Sequence, residues 1–330
     1  MKRILMIATG GTIASKNTGK GLTPVISPRE LLEFVPEIAQ MCDVETVQPF
    51  NLDSTNVYYP HWLEIARLVR ENYAKYDGFV VTHGTDTMAY TAAALSYLIQ
   101  NSAKPVVLTG SQKSVYLRDT DARGNLADAF AYCTDDKACG VRVVFDGKVI
   151  LGTRAKKTRT RSYNAFSSID FPEIAVIRDG KPVYYVEPHR PVGAPVFSLT
   201  LDPEVFVLKT VPGMRADIFD YLTAHTDGVV IESFGSGGLP RYEDDGFFSR
   251  LEAYTAAGKT VVLGTQVERE GSALGVYEVG RRLLGIPNVL EARSMTLEAT
   301  VTKLMWVLGQ TKDPEKVARL FSTPVERDFL

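Results

Sequence analysis

The sequence predicts an α/β protein with two α/β domains built on mostly parallel sheets. The larger N-terminal domain carries a β-hairpin extension, and the C-terminal domain is smaller. Three observations predict this. Short apolar runs without polar alternation are separated by longer amphipathic segments, the pattern of a parallel sheet covered by helices on both faces. Asp146-Gly147 and Asp179-Gly180 each lie between strand-like runs, a strong two-residue hairpin signal. A stretch with Pro188, Pro191, Pro195 and Pro203 and no helical period then divides two such series. The length of 330 residues itself allows roughly two domains. The expected division is 1–186 for the N-terminal domain, 187–204 for a linker and 205–330 for the C-terminal domain.

The elements follow in order. Ile4–Ala8, Val44–Val47, Gly78–Thr82 and Pro105–Thr109 read as buried strands. Pro28–Phe34, Pro60–Tyr76, Asp86–Gln100 and Asp121–Cys133 read as the helices between them. In the second of these, proline stands in the first turn and Trp62, Ile65, Ala66, Val69 and Tyr73 fall at helical spacing. Val141–Phe145 with Lys148–Thr153, and Ile174–Ile177 with Pro182–Val186, form the two hairpins. Beyond the linker, strands are expected at Val205–Thr210, Gly228–Ser233, Thr260–Gly264 and Val289–Ala292. Helices are expected at Met214–Ala224, Gly246–Ala257, Thr296–Gly309 and Pro314–Phe321.

Composition excludes several classes of function. Lys plus Arg is 37 and Asp plus Glu 39, a net charge of −2, so neither nucleic acid nor a membrane surface is an expected partner. No run approaches the 18 apolar residues of a spanning helix. The apolar run after Met1-Lys2-Arg3 is too short for a signal-peptide core and breaks at Gly10-Gly11, so it reads as a first strand of a cytoplasmic protein. Three cysteines without a CxxC pair indicate neither a disulfide framework nor a metal site.

In open α/β sheets ligands bind beyond the carboxyl ends of the strands. The first such tip is Thr9-Gly10-Gly11-Thr12-Ile13-Ala14-Ser15. Paired glycines turn sharply and expose N–H groups that suit an oxyanion, with the Thr12 hydroxyl beside them. Neither GxxxxGK[ST] nor GxGxxG is present, which argues against a phosphate loop. The second tip is Val81-Thr82-His83-Gly84-Thr85-Asp86-Thr87-Met88. Thr85 or Asp86 suits a helix N-cap, or else supplies a hydroxyl and a carboxylate to a ligand. His83 reads as a packed, hydrogen-bonded residue. The third feature is the basic run Arg154–Arg161, mostly a solvated face, with room for one lysine to turn inward and act on a threonine hydroxyl.

TGGTIAS at Thr9–Ser15 together with VTHGTDTM at Val81–Met88 resembles the bacterial-type L-asparaginase family, and its cytoplasmic type I branch most of all. The resemblance runs along essentially the whole chain, through Asp53-Ser54-Thr55, Gly110-Ser111-Gln112, the Lys157 segment, Ser233–Gly238 and Thr302–Trp306. It implies hydrolysis of the side-chain amide of L-asparagine to aspartate and ammonia, with no cofactor, in a homodimer or homotetramer. It implies Thr12 as nucleophile, and Thr85 as a second threonine held with Lys157 and Asp86. Ser54 and Thr55 match the positions that hold the substrate's α-carboxylate. Asp86 matches the one that holds its α-ammonium, and Gly11 and Gly84 belong to the same binding surface. The resemblance also prefers Lys157 to Lys156, because the distance from Lys157 to Asn164-Ala165-Phe166 lines up with the family pattern.

Two departures from the family pattern stand out. Leu22 occupies the place where many members carry a tyrosine in the loop after the first motif, so the group that activates Thr12 is open: water, Lys157 through Thr85, or Tyr58, Tyr116 or Tyr277. Gly235–Gly238 lacks the asparagines of secreted relatives. Ser15–Ser27, with Gly19 and Gly21, is a candidate lid. A broader glutaminase-asparaginase and a catalytically weak amino-acid sensor are the competing functions.

Overall fold

The structure is a computed structural model that describes residues 1–17, 22–24, 26–240, 246–276 and 278–330. The chain divides into two compact units, Met1–Leu199 and Thr200–Leu330. The first is built on eight strands: β1 (Lys2–Ala8), β2 (Cys42–Val47), β3 (Gly78–Thr82), β4 (Pro105–Thr109), β5 (Gly140–Phe145), β6 (Lys148–Leu151), β7 (Ala175–Arg178) and β8 (Lys181–Tyr184). Their order across the sheet is β8-β7-β6-β5-β4-β3-β1-β2. The strands from β2 to β5 pair in parallel, while β5 to β8 are joined antiparallel. Both Asp-Gly pairs make the expected turns, with Asp146, Gly147, Asp179 and Gly180 all at positive φ.

Every residue of β3, β4 and β5 is buried. That is why these strands carry no alternation: helices cover both faces of the sheet. The helix Met88–Leu98 is apolar nearly all round and is buried through ten of its eleven residues. The helix Tyr59–Asn72 buries Trp62, Ile65, Ala66 and Val69, the face its spacing predicts. Three expected helices are shorter than their sequence patterns by several residues, and the one expected over Pro60–Tyr76 ends at Asn72. Ile99–Gln100 leaves the predicted Asp86–Gln100 helix and pairs as a short strand with Val196–Phe197, inside the proline-rich stretch. Asn101, at positive φ, donates from Nδ2 to the carbonyls of Val192 and Ala194 and holds that stretch along the first unit. In the second unit the helix begins at Ile218 and not at Met214, because the Pro212-Gly213 turn, with Gly213 at φ 82°, occupies the preceding residues.

The second unit is a four-stranded parallel sheet in the order β9 (Val205–Lys209), β10 (Gly228–Ser233), β11 (Thr260–Thr265) and β12 (Val289–Glu291). Its core gathers Phe219, Phe247, Phe248, Leu251 and Tyr254 from two helices against β10 and β11. The Lys303 ammonium and the Asp328 carboxylate, both fully buried, meet at 2.7 Å and fasten the C-terminal residues to the helix Leu297–Gln310. Among the described residues no helix is long and apolar enough to cross a membrane.

Candidate active site

From β1 the chain moves to β2 on one side and then to β3 on the other. This reversal opens a crevice at the carboxyl ends of β1 and β3, where such sheets bind ligands. The two motifs are the two loops that leave these strands. Thr9 fixes their origin, since its N–H and its hydroxyl both donate to Thr82 O, at 3.1 and 2.8 Å. The following glycines carry φ of 103° at Gly10 and 83° at Gly11. A Cβ on Gly11 would lie 2.4 Å from Gly84 N, and one on Gly84 would lie 2.7 Å from Ser54 Oγ. The Thr12 and Thr85 loops therefore meet backbone to backbone, and the Ser54 side chain packs directly on Gly84, at distances only glycine permits.

On this frame the side chains converge. Lys157 Nζ donates to Thr85 Oγ1 at 2.7 Å and to Asp86 Oδ1 at 2.6 Å. The lysine is delivered by the strand Ala155–Lys157, which pairs with Phe166–Ser168 and sets Lys157 opposite Phe166. Lys156 and Lys157 point to opposite faces of that pair, so the strand period selects Lys157. Its side chain is 15% exposed, against 60% for Asp86. The basic run is thus less solvated than the sequence suggests: Lys157 turns inward, and Arg154 is wholly buried with its guanidinium over Phe171.

The helix that follows Asp86 decides between the two readings of the second tip. It starts at Met88, and neither Thr85 nor Asp86 caps it. Thr87 occupies the cap position, and its hydroxyl donates to Ser54 O at 2.6 Å and not to the helix. Three oxygen-bearing side chains that suit an N-cap are all spent on the crevice.

Ser54 is buried, and its hydroxyl makes no hydrogen bond to a described residue. Thr55 sits outside it, exposed, with both its N–H and its hydroxyl donating to Asp53 Oδ1 at 2.9 and 2.7 Å. Thr12 is half-buried at the start of a short 3-10 turn, Thr12–Ala14, and its hydroxyl likewise has no described partner. Sequence reasoning assigned no role to Gln112. Its Oε1 accepts from Thr85 Oγ1 at 3.2 Å while its Nε2 donates to Ser162 O at 3.1 Å, and its backbone N–H is held by Asp121. It stands beyond β4, so the strand-tip rule that located Thr12 and Thr85 also points here.

The candidates for activating Thr12 separate as follows. Tyr58 is exposed and packs edge-on against Tyr59 and His61. Tyr116 packs against Phe34 and lies under Lys16. Tyr277 lies outside the described residues, as do Gly19 and Gly21 of the candidate lid. The described ends of that loop, Ser15–Asn17 and Leu22–Pro24, pair as antiparallel strands. Their base is tied to the segment beyond β4, with Ser114 Oγ donating to Ser15 O and Val115 N to Ile13 O. In the second unit a cavity of about 370 Å³ opens among Phe234, Gly237, Leu239 and Leu274, with no titratable side chain among the described residues that line it.

As a chemical device, the crevice offers two threonine hydroxyls, one shared with a lysine ammonium, and a carboxylate with one oxygen free of described partners. Backbone N–H groups stand at both turns. This set suits attack on a carbonyl of a small zwitterion.

Comparison with known proteins agrees in both units. Residues 3–190 match the family described as Asparaginase, N-terminal, and residues 204–321 the Glutaminase/Asparaginase C-terminal domain. The L-asparaginase of Thermococcus kodakarensis is 39% identical over 319 residues, 96% of each chain. The solved structure of the thermostable L-asparaginase from Thermococcus kodakarensis superposes with a TM-score of 0.94, covering 99% of both chains at 37% identity. The L-asparaginase 1 of Escherichia coli is 31% identical over 329 residues, 97% of this chain and 96% of that protein. A probable cytoplasmic L-asparaginase from Campylobacter jejuni superposes with a TM-score of 0.83 at 28% identity, over 98% of this chain and all of that one. The chain belongs to the asparaginase family.

Proposed function

We propose that this protein is an L-asparaginase, hydrolysing the side-chain amide of L-asparagine to L-aspartate and ammonia. One observation carries the reading: Thr85, Lys157 and Asp86 form a hydrogen-bonded cluster beside the Gly11–Gly84 contact that brings in Thr12. In the proposed reaction Thr12 Oγ bonds to the amide carbon and the C–N bond breaks. The hydroxyl proton leaves with the nitrogen as ammonia. Water then adds to the acyl-enzyme, releasing aspartate and returning a proton to Thr12. The backbone N–H groups of Thr12 and Thr85 face the developing oxyanion. The Lys157 ammonium, 2.7 Å from Thr85 Oγ1, stabilises negative charge there and completes a path for the proton. Asp86 Oδ2 receives the substrate ammonium, and Ser54 with Thr55 receives its carboxylate. Thr55 must release Asp53 to do so.

The same proposal places the chemistry in residues 1–186, with 187–204 as linker, in a cytoplasmic homodimer or homotetramer. Its support is the likeness to the relatives above and the prevalence of symmetric assembly among soluble oligomers. Ammonia release from asparagine and from glutamine, over a concentration series, tests the substrate. One methylene separates them, and pocket depth typically discriminates by about 10- to 200-fold. Saturable release from asparagine with glutamine at least tenfold poorer in kcat/KM is the expected result. Comparable values would make this a glutaminase-asparaginase. No release from either would favour a sensor.

A further inference from the structure

His83, the residue directly before Gly84-Thr85, has no part in the mechanism above, yet its hydrogen bonds reach the reacting centre. It is wholly buried. Its backbone N–H donates to Thr109 O at 2.8 Å, and both ring nitrogens are occupied. Nδ1 lies 2.7 Å from Gly84 O, and Nε2 lies 2.9 Å from Thr91 Oγ1. Thr91 Oγ1 in turn accepts from Trp62 Nε1 at 3.0 Å.

The proton positions follow from what each group can do. A carbonyl only accepts, so Nδ1 carries hydrogen and donates to Gly84 O. An indole only donates, so Thr91 Oγ1 accepts from Trp62 and keeps its own hydrogen for Nε2. Burial holds the imidazole pKa down to about 4, so at neutral pH the ring is neutral and this tautomer is the one its neighbours select.

The consequence lies one bond further on. In a trans peptide the C=O and the next N–H point in opposite directions in one plane, and the chain has no cis peptide among the described residues. With Gly84 O drawn toward the buried ring, the Thr85 N–H leaves on the other side. It donates to no backbone carbonyl among the described residues. Glycine leaves this peptide many orientations, and the histidine selects one.

We propose that His83 is a positioning residue whose Nδ1–H holds the Gly84 carbonyl inward and thereby aims the Thr85 N–H at the amide oxygen on which charge develops. Thr91 and Trp62 hold the ring in the tautomer that does this. The inference rests on the acyl-transfer reading above, and its test separates the two.

Asparagine turnover is measured for wild type, His83→Asn and His83→Phe, per folded molecule, with aspartate affinity measured by calorimetry. Asparagine's amide nitrogen can reproduce the donor of Nδ1, whereas phenylalanine fills the space and donates nothing. His83→Phe is expected to lose about 10- to 100-fold in kcat, less than the roughly 100- to 1000-fold of an oxyanion donor removed outright because the Thr85 N–H is misaimed and not lost, with KM and aspartate affinity within about threefold. His83→Asn should recover at least tenfold of that loss. Wild-type kcat in His83→Phe, equal losses in both variants, or a loss carried by KM would overturn the proposal. Should His83→Phe fail to fold, Thr91→Val serves instead, since it frees Nε2 and lets the tautomer change. A three- to tenfold fall in kcat supports the proposal, and an unchanged kcat overturns it. Imidazole ¹⁵N shifts give a separate check: the wild-type ring must carry its hydrogen on Nδ1. The acyl-transfer reading fails by a different result, ammonia release at the wild-type rate from Thr12→Ala.

Discussion

Replacing Gly11 by alanine should uncouple the two catalytic loops with very little change in composition. The new Cβ would sit 2.4 Å from Gly84 N and 2.5 Å from Gly84 Cα, where ordinary contact begins at 3.4 Å. Relieving 2.4 to 3.4 Å requires the Thr12 and Thr85 loops to part by about 1 Å, and the obstacle is backbone, which has no rotamer to turn aside. Gly11 also has φ 83° and ψ 179°, a region almost reserved for glycine, so an alanine adds about 1–3 kcal/mol of strain. A misplacement of about 1 Å in a catalytic arrangement can cost about 100-fold in rate. Gly124→Ala is the matched control: it lies in the helix Ala122–Cys133 with nothing within 4 Å of its Cβ position. It should stabilise the fold by about 0.5–1 kcal/mol and leave turnover unchanged. Ammonia release per folded molecule, with urea unfolding on both variants, measures this. If Gly11→Ala turned over within about threefold of wild type, the close approach of the two loops would not be what assembles the site.

Two further expectations concern stability. Asp128 sits on the helix Ala122–Cys133, and burial, with the nearby Asp146 charge, pushes its pKa up to about 6 from 3.8. Because the folded pKa is raised, the carboxylate destabilises the fold progressively as pH climbs from about 4 to 6, and fully above that. The shift corresponds to about 3 kcal/mol, and partial solvent access reduces it to about 1–2 kcal/mol. Asp128→Asn should therefore gain that much in urea unfolding at about pH 7.5 and nothing at about pH 4, while an equal gain at both would refute the assignment. Lys303→Met leaves the Asp328 carboxylate buried without the ammonium that faces it. It should cost about 3–5 kcal/mol in the same assay, and a loss below about 1 kcal/mol would mean that the pair is not what fastens the C-terminal residues.

The parallel sheet is legible in the sequence because β3, β4 and β5 are buried on both faces, and so short a continuous apolar run bounded by turn residues suits a strand covered on both sides. The hairpins are legible because Asp-Gly turns are chemically specific. What escapes are elements whose partners are remote. The Ile99–Gln100 strand exists only because Val196–Phe197 reaches it, and nothing local distinguishes those two residues from a helix end. At the site, Thr12, Thr85, Asp86 and Lys157 stand out through motifs, but Gln112 does not. Its carboxamide meets Thr85 only because Asp121 and Ser162 orient it. His83 is readable as buried. That its ring aligns a peptide depends on Thr91 and on Trp62, which lies 29 residues before Thr91. The helix cap is the instructive case: Thr85 and Asp86 suit one by every local rule, and the structure gives both to Lys157.

The role of Thr12 as nucleophile is the central claim. Its most direct measurement is single-turnover reaction of asparagine with wild type and with Thr12→Ala, followed by intact-protein mass. Wild type should release ammonia and carry a transient acyl adduct. Thr12→Ala should do neither, while its melting temperature and aspartate affinity stay close to wild type. An adduct, or ammonia released at a wild-type rate, from the Thr12→Ala protein would contradict that role.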